Sequence, residues 1–312
     1  MMKITKILKN ILITARPQQW LKNTALFGAP FLFGNLFEPN VFSRVFQGFI
    51  LFCLTSSAMY IFNDVMDRKK DSRHPLKKSR PVASGALHPL SALLGSSVFL
   101  LISFIFSLQL SLYFFVMVVA YVVLQLAYSV VLRDVIILDA MTIALGFIFR
   151  VFAGALAVPV SISSWLVLTT IGLSLLMAFG KRRSERTLLA EQGGEFNTRA
   201  SLREYPDTLL DSAISTFSAF TILSYSLFAF QTSPTDVVLQ GVLPSILAQP
   251  KWMMLTIPVV IYGVSRYLYV IYEKKVAESP AKALLTDYPL LFTVLFWAFS
   301  VWLIIYPLGG HQ

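Results

Sequence analysis

Charged side chains are scarce in this sequence. Only 13% of its 312 residues are Asp, Glu, Lys or Arg, about half the share of an average soluble domain. Cysteine is nearly absent too, because Cys53 stands alone and has no partner for a disulfide within the chain. Hydrophobic residues, in contrast, make up 56% of the chain. These values exclude a disordered chain, a disulfide scaffold and an ordinary soluble enzyme, and they favour a polytopic membrane protein.

Apolar runs long enough to cross a bilayer recur along the whole chain. A transmembrane helix needs about 20 apolar residues, and the sequence offers nine candidate segments, the first of which is short and contains glycine and proline. We expect that first segment to be kinked or to begin nearer Gln19. The candidates are Thr24–Phe37, Phe42–Phe62, Leu90–Leu108, Leu110–Leu132, Val135–Val158, Ile162–Gly180, Leu209–Phe230, Trp252–Tyr272 and Pro289–Tyr306. The sequence thus predicts one all-α integral membrane domain over residues 1–312.

Basic residues are sorted to one side of this layout. When the gaps between segments are assigned to alternate sides, 22 of the 26 lysines and arginines fall on the side of the N-terminus. The positive-inside rule makes that side cytoplasmic, so we expect a multi-pass plasma-membrane protein with its N-terminus inside and its C-terminus outside. The basic N-terminal segment lacks the compact apolar stretch of a cleavable signal peptide. The net charge of +10 therefore needs no nucleic-acid partner to explain it.

Three carboxylates stand among the basic residues of the loop 63–88. Asp64, Asp67 and Asp71 are three and four residues apart, so a helical continuation of the second segment places them on one face. Like charges on one face repel each other unless a cation joins them, and hard oxygen ligands suit Mg²⁺. Asn63 adds an amide that can bind the metal or donate to an oxyanion. On spacing alone, a solvated face neutralised by neighbouring basic residues is the alternative.

The second half of the same loop is rich in cations. Arg73, Lys77 and Arg80 follow the carboxylates, and two prolines fix turns between them. Acids that bind a metal beside bases that bind phosphate are what a magnesium–diphosphate site requires. We therefore expect chemistry on a diphosphate at the cytoplasmic surface of the membrane.

These residues resemble a known family. NDVMDRKKD followed by HPLKKSRPVASG closely resembles the first aspartate-rich motif of the UbiA superfamily of intramembrane prenyltransferases. Other segments resemble its decaprenyl-phosphate phosphoribosyltransferase subfamily, over about residues 15–305. They are Arg16–Asn23, Tyr128-Ser129 followed by Asp139, Arg150–Ala155, Lys181–Glu185 and Arg266–Leu268.

The resemblance implies a fold, a reaction and a set of site residues. The fold is a UbiA-like helical bundle whose active-site loops, 63–88 and 181–207, are cytoplasmic. The reaction is Mg²⁺-dependent transfer of phosphoribose from 5-phosphoribosyl 1-diphosphate to a polyprenyl phosphate, with Asp64, Asp67 and Asp71 as metal ligands and Asn63 beside them. The substrate-binding candidates are Lys22, Arg73, Lys77, Arg80, Tyr128, Arg133, Asp139, Lys181, Arg182, Arg183, Glu185 and Arg266.

The second loop distinguishes a phosphoribosyltransferase from an aromatic prenyltransferase. UbiA enzymes that act on quinone precursors usually carry a second DxxxD motif there, whereas this loop opens with Lys181, Arg182 and Arg183. Asp207 and Asp211 have the acidic spacing but follow the loop. An aromatic prenyltransferase acting on a precursor such as 4-hydroxybenzoate is therefore the less favoured enzyme, and a transporter with charges along a pathway is a third possibility. For Lys22, Tyr128, Arg133 and Arg266, simple placement at the membrane interface also fits.

Overall fold

The computed structural model describes residues 2–73, 77–158, 160–191, 202, 204–232, 251–274 and 280–307. Every regular element within these residues is helical, which confirms the predicted all-α class. 3₁₀ helices cover Pro17–Phe27, Leu132–Asp134 and Trp252–Thr256, and Val270–Lys274 is a π-helix. The α-helices are α1 (Met2–Ala15), α2 (Gly28–Leu32), α3 (Pro39–Met66), α4 (Arg68–Asp71), α5 (Pro89–Leu110), α6 (Leu112–Val130), α7 (Leu138–Ala157), α8 (Ser164–Glu191), α9 (Asp207–Thr232), α10 (Ile257–Tyr269), α11 (Pro280–Thr286) and α12 (Tyr288–Ile305).

Eight helical segments of the described chain are long and apolar enough to cross a membrane. They correspond to the second to ninth predicted segments, so the protein is a multi-pass membrane protein. The first predicted segment differs, because the long 3₁₀ helix and the five-residue α2 replace a single long helix there. This pair of short helices still runs the length of α3: Arg16 reaches Asp64 near its C-terminus, and the Phe27 ring lies 6.3 Å from that of Phe42 near its N-terminus.

The 3₁₀ helix at Pro17–Phe27 is unusually long for its type. Side chains three residues apart eclipse one another in a 3₁₀ helix, and here Trp20 and Asn23 both face α3. Trp20 Nε1 donates to Ser57 Oγ at 2.9 Å, and Asn23 Nδ2 donates to Ser56 Oγ at 3.1 Å. On its other side the helix touches α7 so closely that a Cβ on Gly154 would lie 1.8 Å from the Leu26 carbonyl oxygen. Only glycine permits this approach.

Helix α3 is the central span of the bundle. Within its most apolar window 61% of the residues are buried, against 22% for α5 and for α12, which lie at the periphery. Apolar clusters fill the spaces between α3, α6 and α7 and between α7, α8, α9 and α10. The most extensive helix pairing joins α8 to α9. Because α3 leads directly into the aspartate-rich segment, the centre of the bundle positions those carboxylates.

Candidate active site

Two of the three loop aspartates converge on one arginine. Arg80 Nη1 lies 2.6 Å from Asp71 Oδ2 and 3.2 Å from Asp64 Oδ1. Arg16 also donates to Asp64 Oδ1. Both carboxylates are buried, whereas the two arginines keep more than a quarter of their side chains exposed. Asp64 and Asp71 thus lie together at Arg80, and their charges are balanced by cations that are still within reach of solvent.

Asp67 turns away from the other two aspartates. Helix α3 ends at Met66, and Asp67 has φ −87° and ψ 4°, outside the regular helix. Its carboxylate accepts two hydrogen bonds from Arg133 Nη1, at 2.7 and 2.9 Å. The helix break thus prevents one continuous face through all three acids. Asn63, one turn earlier, accepts a hydrogen bond from the Ser129 hydroxyl through its Oδ1.

A second ionic cluster lies between α7 and α8, around a pair of side chains that is sealed from solvent. Arg182 Nε lies 2.6 Å from Asp139 Oδ2, and both side chains are at most 1% exposed. Arg182 Nη1 also donates to Glu185 at 2.5 Å, and its Nη2 lies 3.5 Å from the Tyr128 hydroxyl. At the edge of the cluster, Lys181 lies 3.5 Å from Glu185. All five are predicted site residues, and the fold brings them together around the enclosed Arg182–Asp139 pair, the sealed cluster.

Tyr205 fixes the position of Asp139 from outside the spans. Its hydroxyl donates to Asp139 Oδ1 at 2.5 Å and accepts the backbone N–H of Ile137 at 2.8 Å. Ile137 has φ 70°, an unfavourable conformation for a β-branched residue, so this contact holds a strained turn in place. Burial, together with the hydrogen bond to Asp139, raises the pKa of the Tyr205 phenol well above its ordinary value. Tyr205 therefore stays a hydrogen-bond donor at neutral pH.

Lys22 is the least compensated cation near these clusters. It makes no hydrogen bond or ion pair with any residue that the structure describes. Burial, reinforced by three neighbouring cations, lowers the pKa of the Lys22 ammonium from 10.5 to about 7. The neighbouring cations are Lys181, Arg150 and Arg16. A region with this much positive charge attracts an anion.

Arg150 lies deep between the helices. It donates to Asn23 Oδ1 at 2.8 Å, to the Gly146 carbonyl at 2.5 Å and to the Tyr121 hydroxyl at 2.9 Å. Its guanidinium carbon also lies 4.8 Å from the centre of the Tyr121 ring, a cation–π contact. Within the described residues it has no carboxylate partner. Its charge therefore adds to the positive potential around Lys22.

Other predicted binding residues lie in contacts outside these clusters. Arg183 binds Asp211 on α9 at 2.8 Å, and Arg266 binds the N-cap residue of α12, Asp287, at 3.0 Å through two nitrogens. Arg73 is exposed at the loop surface. Lys77 is half-buried and has a partner. The part of the second loop at 192–201, together with Arg203, lies outside the described residues.

The contacts of the site include residues that were not among the predicted site residues. Arg16, Ser129, Tyr205 and Asp287 each bind a predicted site residue directly. Arg16 carried one usable signal, since it precedes Pro17 and ends a helix; the structure gives it φ 53°, left-handed. Tyr205 lies 66 residues from Asp139, and no local sequence pattern predicts that contact.

A model of the UbiA prenyltransferase family matches residues 24–299. The chain belongs to this family. Two curated relatives are each named decaprenyl-phosphate phosphoribosyltransferase. The protein from Mycolicibacterium smegmatis is 28% identical over 96% of this chain and 93% of its own length. The protein from Corynebacterium glutamicum is 30% identical over 93% of this chain and 85% of its own length.

Solved structures share the UbiA fold. A UbiA homologue from Archaeoglobus fulgidus bound to GPP and Mg²⁺ superposes with a TM-score of 0.69 at 16% identity, covering 95% of this chain and 99% of that one. A digeranylgeranylglyceryl phosphate synthase structure gives a TM-score of 0.65 at 14% identity, covering 98% and 100%. The predicted UbiA-like bundle is thereby confirmed.

The carboxylates of this chain fit a divalent metal in part. Asp64 and Asp71 already direct oxygens to one cationic atom, Arg80 Nη1, and carboxylate oxygens suit Mg²⁺. Among the described residues, however, no three acidic, histidine or cysteine side chains are grouped closely enough to hold a metal together. Asp67, engaged by Arg133, is the acid that stands apart.

Proposed function

We propose that this UbiA family protein transfers phosphoribose from 5-phosphoribosyl 1-diphosphate to a polyprenyl phosphate and releases diphosphate. The match to relatives named decaprenyl-phosphate phosphoribosyltransferase along nearly the whole chain carries the choice of reaction. The excess of cations over free carboxylates around Lys22 supports it, because both substrates are anionic. The product lipid stays in the membrane and the diphosphate leaves on the aqueous side.

In this proposal, the diphosphate group of the donor binds beside the carboxylates of Asp64 and Asp71. Asp64 and Asp71 would hold Mg²⁺, and Arg80 and Arg16 would then be free to bind phosphate oxygens. Guanidinium groups that are partly exposed can make this exchange, because a diphosphate offers the same paired oxygens as two carboxylates. A Mg²⁺ ion held there would supply positive charge to stabilise the leaving diphosphate.

The bond changes need little proton transfer. A phosphate oxygen of the lipid forms a bond to the anomeric carbon while the bond from that carbon to the diphosphate oxygen breaks, and the diphosphate takes the electron pair. The lipid phosphate is already an anion, so no strong general base is needed. In this proposal, Lys22 and Lys181 hold phosphate oxygens as charge shifts between them.

The cytoplasmic placement of this chemistry is part of the same proposal. Arg16 and the α3 C-terminus lie at one end of the bundle. The Tyr306 hydroxyl, just beyond α12, donates to Phe31 near the other end. Termini at opposite ends support an N-terminus inside and a C-terminus outside, as the positive-inside rule predicts.

One assay separates this reaction from its alternative. Purified protein in lipid nanodiscs is given Mg²⁺, radiolabelled phosphoribosyl diphosphate and polyprenyl phosphate, and lipids are then extracted. We expect label in the lipid phase and release of diphosphate. Label that stays in the aqueous phase, together with prenyl transfer from a prenyl diphosphate to 4-hydroxybenzoate, would favour the aromatic prenyltransferase.

A further inference from the structure

Helix α1 has two surfaces, only one of which is used inside the protein. Its inner surface packs Ile11 and Ala15 against the end of α3, the loop before α5 and the first turns of α5. A Cβ on Gly95 would lie 3.1 Å from Ile11 Cδ1. Asn10 Nδ2 donates to the Ala86 carbonyl at 2.8 Å. These contacts fix the helix against the outside of the bundle.

The depth of α1 follows from its contact with α5. Gly95 is six residues beyond Pro89, where α5 begins, which is about 9 Å along the helix axis. Interfacial helices bury their apolar side about 5–10 Å into the boundary between headgroups and acyl chains. Helix α1 thus lies at the level of the membrane interface, beside lipid-facing Leu94, which is 61% exposed.

The unused surface of α1 combines apolar and basic side chains. Leu8 and Leu12, one turn apart, are 56% and 55% exposed. Lys6 and Lys9 are exposed too, and neither forms an ion pair with a described residue. The helix contains no acidic residue. Leucines that enter acyl chains beside unpaired lysines are the pattern of a helix that binds an anionic lipid surface.

We propose that α1 binds the anionic phospholipid headgroups of the leaflet that carries the aspartate-rich loop. Lys6 and Lys9 contact lipid phosphates while Leu8 and Leu12 insert among the acyl chains. The helix ends at Ala15, next to Arg16, which binds Asp64. Lipid binding at α1 therefore fixes the segment that supplies a counter-ion to the active-site carboxylate.

Quenching by brominated lipids tests this proposal in the full-length protein. A bimane fluorophore is attached at Leu12→Cys in vesicles that contain either brominated phosphatidylglycerol or brominated phosphatidylcholine at equal mole fraction. The unsubstituted protein, whose Cys53 is buried, controls for labelling elsewhere. Leu295→Cys on the lipid-exposed side of α12 is the matched position without neighbouring lysines.

We expect quenching at both positions, with about a twofold or greater excess for phosphatidylglycerol at Leu12→Cys only. Adding Lys6→Gln and Lys9→Gln should remove that excess but leave the quenching. Absence of quenching at Leu12→Cys would overturn the proposal, because α1 would then face water or a second copy. Equal quenching by the two lipids at that position would overturn it as well, because the contact would be apolar only.

Discussion

The aspartate-rich loop and the α7–α8 cluster both pair arginine with aspartate, but the arginines differ in their exposure to solvent. At the loop, Asp64 and Asp71 are buried, but Arg16 and Arg80 remain 26% and 29% exposed. In the sealed cluster, Arg182 and Asp139 are both almost fully enclosed. An exposed guanidinium exchanges partners at low cost, whereas separating an enclosed pair leaves an uncompensated charge. The loop is therefore suited to bind substrate, and the sealed cluster to hold α7 and α8 together.

Removal of a loop carboxylate should produce the largest loss of activity. We expect Asp64→Asn to lower kcat by about 10²–10³-fold or more, since it removes charge that the proposed metal needs at the leaving group. The measurement is phosphoribosyl transfer in nanodiscs, with chromatographic behaviour as the test of folding. Asp134→Asn is the matched control, because Asp134 is exposed and lies 3.7 Å from Arg133. A well-folded Asp64→Asn protein with full activity would exclude a role in catalysis.

Breaking the sealed cluster should instead cost stability. Asp139→Asn removes the enclosed carboxylate partner of Arg182 and leaves the partly exposed one of Glu185. Loss of one partner of a buried pair costs up to about 3–5 kcal/mol. The free energy of unfolding in mixed micelles measures this. Asp139→Leu combined with Arg182→Met removes both charges and should recover much of the loss. If the single variant unfolds like the parent protein, the cluster does not stabilise the helix pair.

The two regions also differ in how far the sequence predicted them. Hydrophobic run lengths located eight spans, and the spacing of Asp64 and Asp71 predicted their common side, because both signals are local. The isolation of Asp67 was missed, since it depends on a helix break at that residue. The partnership of Arg182 with Asp139 joins residues that lie 43 positions apart, on two consecutive helices. Residue type identified such groups as site candidates, but only packing determines which cation meets which acid.

Substrate binding by Lys22 should depend on pH, because the pKa of its ammonium is about 7, far below the usual 10.5. An ammonium that binds a phosphorylated substrate loses its proton as pH rises, so KM for at least one substrate should rise about fivefold between pH 7 and pH 8. Lys22→Arg stays charged and should show a flat profile. Flat KM values for both substrates in the parent protein would contradict anion binding by Lys22.

A rise in pH should weaken substrate binding by Lys22 but strengthen its contribution to folding. The unfolded chain binds the Lys22 proton up to about pH 10.5, whereas the folded protein loses it near pH 7. Between these values the unfolded state holds more protons, so the free energy of unfolding contributed by Lys22 increases with pH. Lys22→Met should flatten this part of the stability profile. If the parent and Lys22→Met profiles run parallel over this range, Lys22 is not desolvated in the folded protein.

The smallest effect should come from the acids of α9. Asp211 accepts from Arg183 and from the Tyr272 hydroxyl, but its side chain is 41% exposed. Exposed ion pairs contribute about 0–1 kcal/mol, so Asp211→Asn should change the free energy of unfolding by less than about 1 kcal/mol and leave transfer activity near that of the parent. Asp207, bound to Arg186 at 2.7 Å, should respond likewise. A large loss of activity in either variant, reversed by higher Mg²⁺, would instead assign these acids to a second metal site and make this region resemble the loop.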